Sequence, residues 1–522
     1  MKNLKIFIAL LVGASTVVTS CKQEAFDEYY RDPSKVTETT IDKQFTGIIF
    51  AYRELVVPSY WNYFVILRST ANRYIQVTGW ANESNQLVPG GASIQDRWST
   101  YYSGLAQFRE FETVYGKAPA AEQQEKRIFY LAAKIFFYDQ TQQTVDLHGD
   151  IPWSQAGTLS RNGGDYDVSY APYDRATDIY ATMLDDLKAI ADELSTTTVP
   201  GTITNSFRDQ DLINGGDLDA WKRYCNSLRL RILTRVSGVQ AFAERARQEI
   251  AQILADPVSY PLVLTNADNI QIDIFDNTSD INSRGFRDGI ESWNANIAGK
   301  VMIDHMKANA DPRLPFIFEP GANAGGVFNG LDQSLPQSTQ NTLINGGTLA
   351  IYNRSTYSRN ENFPGILITA PEVHLLLSEY YVRSGNDAAA KNAFETAIRE
   401  SVALFPSIRA ISNDNTTPAP ANPTPAAINT YIANIGWGGN NLQRIAQQKW
   451  LHFNLVQPLE SWAEVRRLGY PVFEFRVDPS DLQKTVPLKW NLPASEVNYN
   501  TANYEAVRAQ DNVNTPLFWD IN

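Results

Sequence analysis

Hydrophobic positions along the chain fall into long helical stretches separated by polar segments of a different character. Between Glu122 and Val145 the apolar residues Ile128, Phe129, Ala132, Ile135 and Phe136 recur at three- and four-residue steps, which places them on one face of a helix. A second helix is predicted after Pro172, with Ile179, Met183, Leu187, Ile190 and Leu194 down one side. The next opens at Asp217, whose carboxylate suits the free amides of a first turn, and carries Trp221, Cys225, Leu228 and Ile232. A further helix spans about Ala241 to Leu254, and a helical pattern begins as early as Thr40. Helix returns at Ala370–Arg383, where Val373, Leu376, Leu377 and Tyr380 share a face. Asp387–Phe405 is its predicted antiparallel partner across Ser384-Gly385-Asn386. Thr424-Pro425 starts another helix after the Pro-rich stretch Thr416–Pro425, and Glu460–Leu468 stops at Gly469 with Pro471 beyond.

The segments between read differently. Residues 256–295 hold short β-like runs, Tyr260–Leu264 and Ile270–Ile274. Residues 318–365 are rich in Gly, Asn, Ser and Gln and predict long exposed loops. Helix pairs on short turns give the fold class: mostly α, a tetratricopeptide-like helical-hairpin scaffold with long irregular loops and a few short strands. No strict repeat of ~34 residues recurs, so the hairpins are degenerate.

The N-terminus has its own pattern. Lys2 and Lys5 precede an apolar run from Ile6 to Val18, then Val18-Thr19-Ser20-Cys21. The run is too short for a membrane span and ends in small residues. An aliphatic residue three before the cut and Cys just after it resemble a bacterial lipobox. An ordinary secretory signal would place Cys21 there only by chance. The organisation predicted is a signal peptide over 1–20, a lipidated flexible tether over 21–38 and one helical domain over 39–522. The location predicted is the outer membrane, lipid-anchored and facing the cell surface.

Charge and composition narrow the function. The formal net charge is −12, and removing Met1–Ser20, which takes Lys2 and Lys5 but no acid, carries it to −14. Such an acidic body is unsuited to nucleic acid, whose phosphates require clustered Lys and Arg. With Cys21 acylated, Cys225 has no disulfide partner; it lies on an apolar helix face and reads as a buried small hydrophobe. His148, His305, His374 and His452 are dispersed, with no metal-binding spacing. Asp276, Thr278, Asp280 and Asn282 offer alternating oxygens but lack the Gly and terminal Glu of a calcium loop, so Asx turns are the better reading. No nucleophile elbow, phosphate loop or dinucleotide fingerprint occurs. The expectation is a protein that is not an enzyme and holds no metal or cofactor.

Several segments occur together. They are Val145-Asp146-Leu147-His148-Gly149-Asp150-Ile151-Pro152-Trp153, the helix Trp221–Val236, Asp311-Pro312-Arg313-Leu314, and Pro371-Glu372-Val373 through Ser378-Glu379. Towards the C-terminus come Gln448-Lys449-Trp450, Glu460-Ser461-Trp462, Arg466-Arg467-Leu468-Gly469-Tyr470-Pro471, and Pro493-Ala494-Ser495-Glu496 with Asn500 and Tyr504. In this order behind a lipobox, they resemble the SusD/RagB family of nutrient-binding outer-membrane lipoproteins, in its SusD-like branch. Leu468 departs from the family's usual Thr, and Ser378 from its frequent Ala. The resemblance implies a ligand surface made by loops. It also implies a partner, a SusC-like TonB-dependent transporter, over which the lipoprotein acts as a lid. The other readings are a surface glycoside hydrolase and a protein-binding assembly lipoprotein.

Residue types sort the family-like segments from the candidate site. Gly149 and Asp150 read as turn chemistry, and Glu460, Trp462, Arg466 and Arg467 as a polar network locking helices together. Ligand contacts are expected from aromatics and amides in polar loops: Tyr74, Trp80 and Asn82; Trp293 and Asn294; Tyr352 and Arg354. Tyr357 and Trp437 are lesser candidates. Flat rings stack on sugars or peptide side chains while Asn and Arg orient hydroxyls or amides. The ligand expected is an oligosaccharide or a peptide, with the oligosaccharide favoured.

Overall fold

The computed structural model describes residues 39–276 and 278–521. The signal peptide, Cys21 and the tether predicted for 1–38 lie outside the described residues, and the chain from Ile41 onward forms one unit. Its first part is a stack of long helices: α1 (Ile41–Val56), α2 (Gly91–Lys117), α3 (Arg127–His148), α4 (Ala176–Thr196), α5 (Leu218–Val236) and α6 (Gln240–Ala255). The predicted apolar faces are the buried ones; Ile179, Met183, Leu187, Ile190 and Leu194 of α4 all lie in the core. Asp217 caps α5, its carboxylate accepting from the amides of Asp219 and Ala220. Cys225 is buried on α5, and burial pushes its thiol up to about 12. Gly149 and Asp150 act locally, Asp150 accepting from the Ala176 amide that opens α4 at 2.8 Å.

A middle region carries short helices, among them α7 (Phe286–Glu291), α8 (Lys300–Ala308) and α9 (Gln337–Gly346). The last part returns to helical hairpins: α10 (Ala370–Arg383), α11 (Asp387–Ala410), α12 (Pro425–Ile435), α13 (Asn441–Phe453) and α14 (Pro458–Leu468). The turn between α10 and α11 is the predicted one, with Asn386 capping the Ala389 amide. Thr424 caps α12, and α14 ends on a left-handed Gly469 with φ 69°. Helix α11 runs past its predicted end at Phe405 and through Pro406, carrying Ile408 into the core. A missing proline amide is tolerated where packing supports the following turn.

Six strands of two to four residues pair antiparallel: β1 (Ile151–Pro152) with β2 (Tyr173–Asp174), β3 (Ile270–Ile272) with β6 (Gly365–Ile368), and β4 (Phe318–Glu319) with β5 (Ile351–Tyr352). The β-like run Tyr260–Leu264 is not a strand. Its polar groups find side chains instead, the Val263 amide donating to Ser227 Oγ at 3.0 Å and the Tyr260 hydroxyl to Asp192 at 2.7 Å. The stretch 318–365 is also less open than its composition predicts. Asn353, Ser355, Thr356 and Asn360 are buried, because side-chain amides satisfy the backbone there: Asn353 donates to Pro315 O and Asn360 to Ile408 O.

A buried ionic lattice joins the early and late helices. Arg235 of α5 meets Asp146 of α3 at 3.2 Å and also pairs with Glu460 and Glu464 of α14. Arg231 joins Asp139 at 3.0 Å and Glu372 at 2.5 Å. Glu379 and Glu464 share Lys449 and Arg467 at 2.5–2.8 Å. Arg466 lies 3.9 Å over the Trp462 ring and donates to the Asp146 and Leu488 carbonyls. The predicted locking network is therefore present, and larger than its sequence signature. Among the described residues no helix is long and apolar enough to cross a membrane.

Candidate functional site

The site is assembled by two loops that a small irregular sheet brings together. After the short helix Ala71–Tyr74, Thr78 bridges to Ala298 and the Gly79 amide donates to Ile297 O at 2.7 Å. Gly79 is required by proximity, since a Cβ there would sit 2.7 Å from Leu331 Cβ. Ile297 continues the contact to Ile351, and Gly299 to Leu331. This junction places the segment around Trp80 beside the turn that follows α7.

That turn holds Trp293 and Asn294, both in left-handed backbone with φ 57°. A bulky aromatic residue there is strained by about 1–3 kcal/mol. Trp293 is also 79% exposed, the most exposed aromatic side chain among the described residues. Glu291 fastens the turn from behind. It accepts two hydrogen bonds from Arg359 at 2.9 Å and one from Ser358 at 2.7 Å. Burial alone would raise its carboxyl, but these bonds hold it below the ordinary value. Trp80 forms the other side, 8% exposed, with Nε1 donating to Gln86 Oε1 at 2.7 Å.

Between the two tryptophans lies a cleft of about 210 Å³, lined also by Arg68, Arg73, Glu83, Asn294, Asn341 and Asn345. Arg73 lies over Trp80 at 5.6 Å, and burial, then the adjacent Arg68 charge, lowers its guanidinium to about 10. Arg68 is lowered too, by burial against the opposing pull of Glu83. The arrangement offers indole faces, side-chain amides and guanidinium donors in one place, which suits a hydroxylated ring.

Of the sequence candidates, Trp80, Trp293 and Asn294 meet at this cleft. Asn82 stands behind it: its side chain donates to Gln333 O at 2.9 Å and Leu335 O at 3.1 Å, and its amide to Gln340 Oε1 at 2.7 Å. It positions the Trp80 loop against α9. Tyr74, Tyr352 and Arg354 do not line the cleft. Tyr74 is 2% exposed and packs on Trp462, while Tyr352 is 0% exposed with its hydroxyl donated to Val77 O. Both rings are core, because the irregular segments carrying them fold inward. Tyr357 is likewise buried, and Arg354 pairs with Glu319 at 2.5 Å. Trp437 packs on Phe394 and donates to Asp387 at 2.9 Å. Arg68, Arg73, Asn341 and Asn345 also line the cleft and are not singled out by the sequence; the basic pair preceding Trp80 is the available signal. Asp276 accepts from the amide and hydroxyl of Thr278 in an Asx turn, and among the described residues no group of three His, Cys, Asp or Glu is placed to hold a metal ion.

A family model described as "starch-binding associating with outer membrane" matches residues 68–493. The chain belongs to this SusD-like family. Solved structures share the fold at low identity. A chitin-binding protein superposes with a TM-score of 0.73 at 20% identity, over 92% of this chain and 100% of its own. A SusD homologue from Bacteroides fragilis gives 0.72 at 18% identity over 92% and 100%, and one from Bacteroides uniformis 0.68 at 18% over 93% and 100%. No curated protein matches in sequence.

Proposed function

We propose that this protein is a cell-surface lipoprotein, anchored through Cys21, that binds an oligosaccharide in the Trp80–Trp293 cleft without cleaving it. It passes the ligand to a SusC-like TonB-dependent transporter beneath it. The observation that carries the reading is Trp293: a large ring held in strained backbone and left in water, opposite a second tryptophan and among amides. Folding alone favours neither the strain nor the exposure, whereas a stacked ligand uses both. Membership of a starch-binding family and likeness to a chitin-binding protein support a glycan over a peptide. Among the described residues Glu83 is the one carboxyl on the cleft lining, and glycoside hydrolysis ordinarily needs two, which favours binding over turnover. A ligand bridging lipoprotein and transporter stabilises the closed pair through its extra contacts, which is how a lid couples capture to transport. In this reading residues 39–522 act as one binding domain on a lipid tether.

Calorimetry of the soluble chain starting after Cys21, against oligosaccharides and peptides with each mixture assayed for cleavage, tests the reading. Saturable binding of an intact oligosaccharide, lost in Trp80→Ala or Trp293→Ala, is the expected result. Cleavage products, or heat from peptides alone, would overturn it.

A further inference from the structure

Several arginines buried in the scaffold of this protein are neutralised by carboxylates, whereas Arg97 bonds the Gln143 side chain and Arg409 the Thr417 carbonyl. Arg229 meets Glu249 at 3.1 Å, Arg231 meets Asp139 and Glu372, and Arg313 meets Asp311 at 2.6 Å. Arg68 and Arg73 are held differently. Among the described residues neither has a carboxylate within ion-pair distance; each is braced by an aromatic face. The Arg68 guanidinium lies 4.6 Å from the centre of the Phe64 ring, which is itself stacked on Tyr60 at 5.0 Å. Arg73 lies 5.6 Å from the Trp80 ring. A π face holds a cation in place while leaving its charge uncancelled.

Both arginines line the cleft. Arg73 spends one bond on Gln86 O at 3.3 Å, and its Nε is buried with no hydrogen-bond partner among the described residues. The carboxyl of the lining, Glu83, is exposed; its charge pulls on both arginines, but it forms no ion pair with either among the described residues. On a chain of net charge −12, two preorganised positive charges between tryptophans mark the cleft off from its surroundings.

We infer that the ligand of this cleft is an acidic oligosaccharide, whose oxyanions Arg68 and Arg73 receive while Trp80 and Trp293 stack on its rings. This rests on the oligosaccharide reading above and narrows it to a charge class. Guanidinium donors match carboxylate and sulfate oxygens in geometry as well as sign.

Two measurements test it. The first needs no sugar: quenching of Trp293 fluorescence by iodide, caesium and acrylamide, isolated by subtracting Trp293→Phe. Iodide is expected to quench several-fold more steeply than caesium, with the preference lost in the Arg68→Gln/Arg73→Gln double variant and kept in the double Lys variant. An absent preference overturns the inference. The second is calorimetry with oligogalacturonate beside its carboxyl-reduced form, and with a carrageenan oligosaccharide, which carries sulfate and no carboxylate, beside its desulfated form. At least one acidic form is expected to bind about tenfold or more tighter than its neutral counterpart, a gap of about 1.4 kcal/mol. That advantage shrinks with salt and disappears in the Gln variant, and the two acidic probes separate carboxylate from sulfate. Equal or tighter binding of the neutral forms overturns the charge class and leaves the oligosaccharide reading standing. Silence from every oligosaccharide, acidic and neutral, overturns both.

Discussion

At Trp293 two unfavourable terms coincide, a left-handed backbone and a bare indole. Substitution separates them. Trp293→Ala is expected to weaken oligosaccharide binding by at least about tenfold, or about 1.4 kcal/mol, with little change in urea midpoint because the ring supports nothing. Trp293→Gly is expected to lose the same binding yet to unfold about 1 kcal/mol later than the Ala variant, since Gly accepts a positive φ without strain. Denaturant titrations of the two variants check this, and equal stabilities would show the strain to be absent. The contrast with Tyr74 and Tyr352 shows what residue type conveys. All are aromatics in polar segments, and which ring faces water depends on where the segment folds, a long-range property that local composition does not hold.

Elements were legible where their signals are local. The α10–α11 hairpin, the Asp217 cap and the Gly469 stop each rest on a few neighbouring residues. The stretch 318–365 is exposed over much of 321–348, as its composition predicts, but 352–360 turns inward because side-chain amides stand in for regular backbone pairing. The junction of Thr78-Gly79 with Ile297-Ala298 depends on residues more than two hundred positions apart and left no local trace. Gly79→Ala tests its importance. The added methyl is expected to force the strands apart at a cost of about 1–3 kcal/mol, and to weaken ligand binding by pulling Trp80 from Trp293. Unchanged affinity in a destabilised variant would detach the junction from the site.

The molecule holds a lattice of charges in its interior, which sets much of its response to acid. Burial lowers His148 and His452 to about 3, while an unfolded chain titrates them near about 6.5. The unfolded state then binds more protons, so stability falls as pH drops from about 6.5 towards 3. Burial opposes it, but Arg467 and Lys449 hold Glu379 and Glu464 below the ordinary carboxylate value. That adds a further loss below about pH 4.3. Asp139, Asp146 and Glu372, raised by burial, act in the opposite sense. Urea midpoints measured from pH 7 to pH 4.5 are expected to fall, and to fall less in His452→Gln. An identical decline in that variant would assign the effect elsewhere. Glu464→Gln, which leaves Arg235, Lys449 and Arg467 short of a carboxylate, is expected to cost about 3–5 kcal/mol at pH 7.

The same lattice bears on how the chain becomes a structure at all. Asp146 and Arg235 belong to its first half, while Glu460 and Glu464, which complete the carboxylate shell of Arg235, come more than two hundred residues later. Until those acids are present, Arg231 and Arg235 have one carboxylate each, Asp139 and Asp146, and the face of the early helices that packs against the late ones stays open and hydrated. A fragment ending before α14 is therefore expected to remain protease-sensitive even though it contains most of the apolar core. The ionic lattice works as a clock as well as a lock, holding back final closure until the trailing helices arrive.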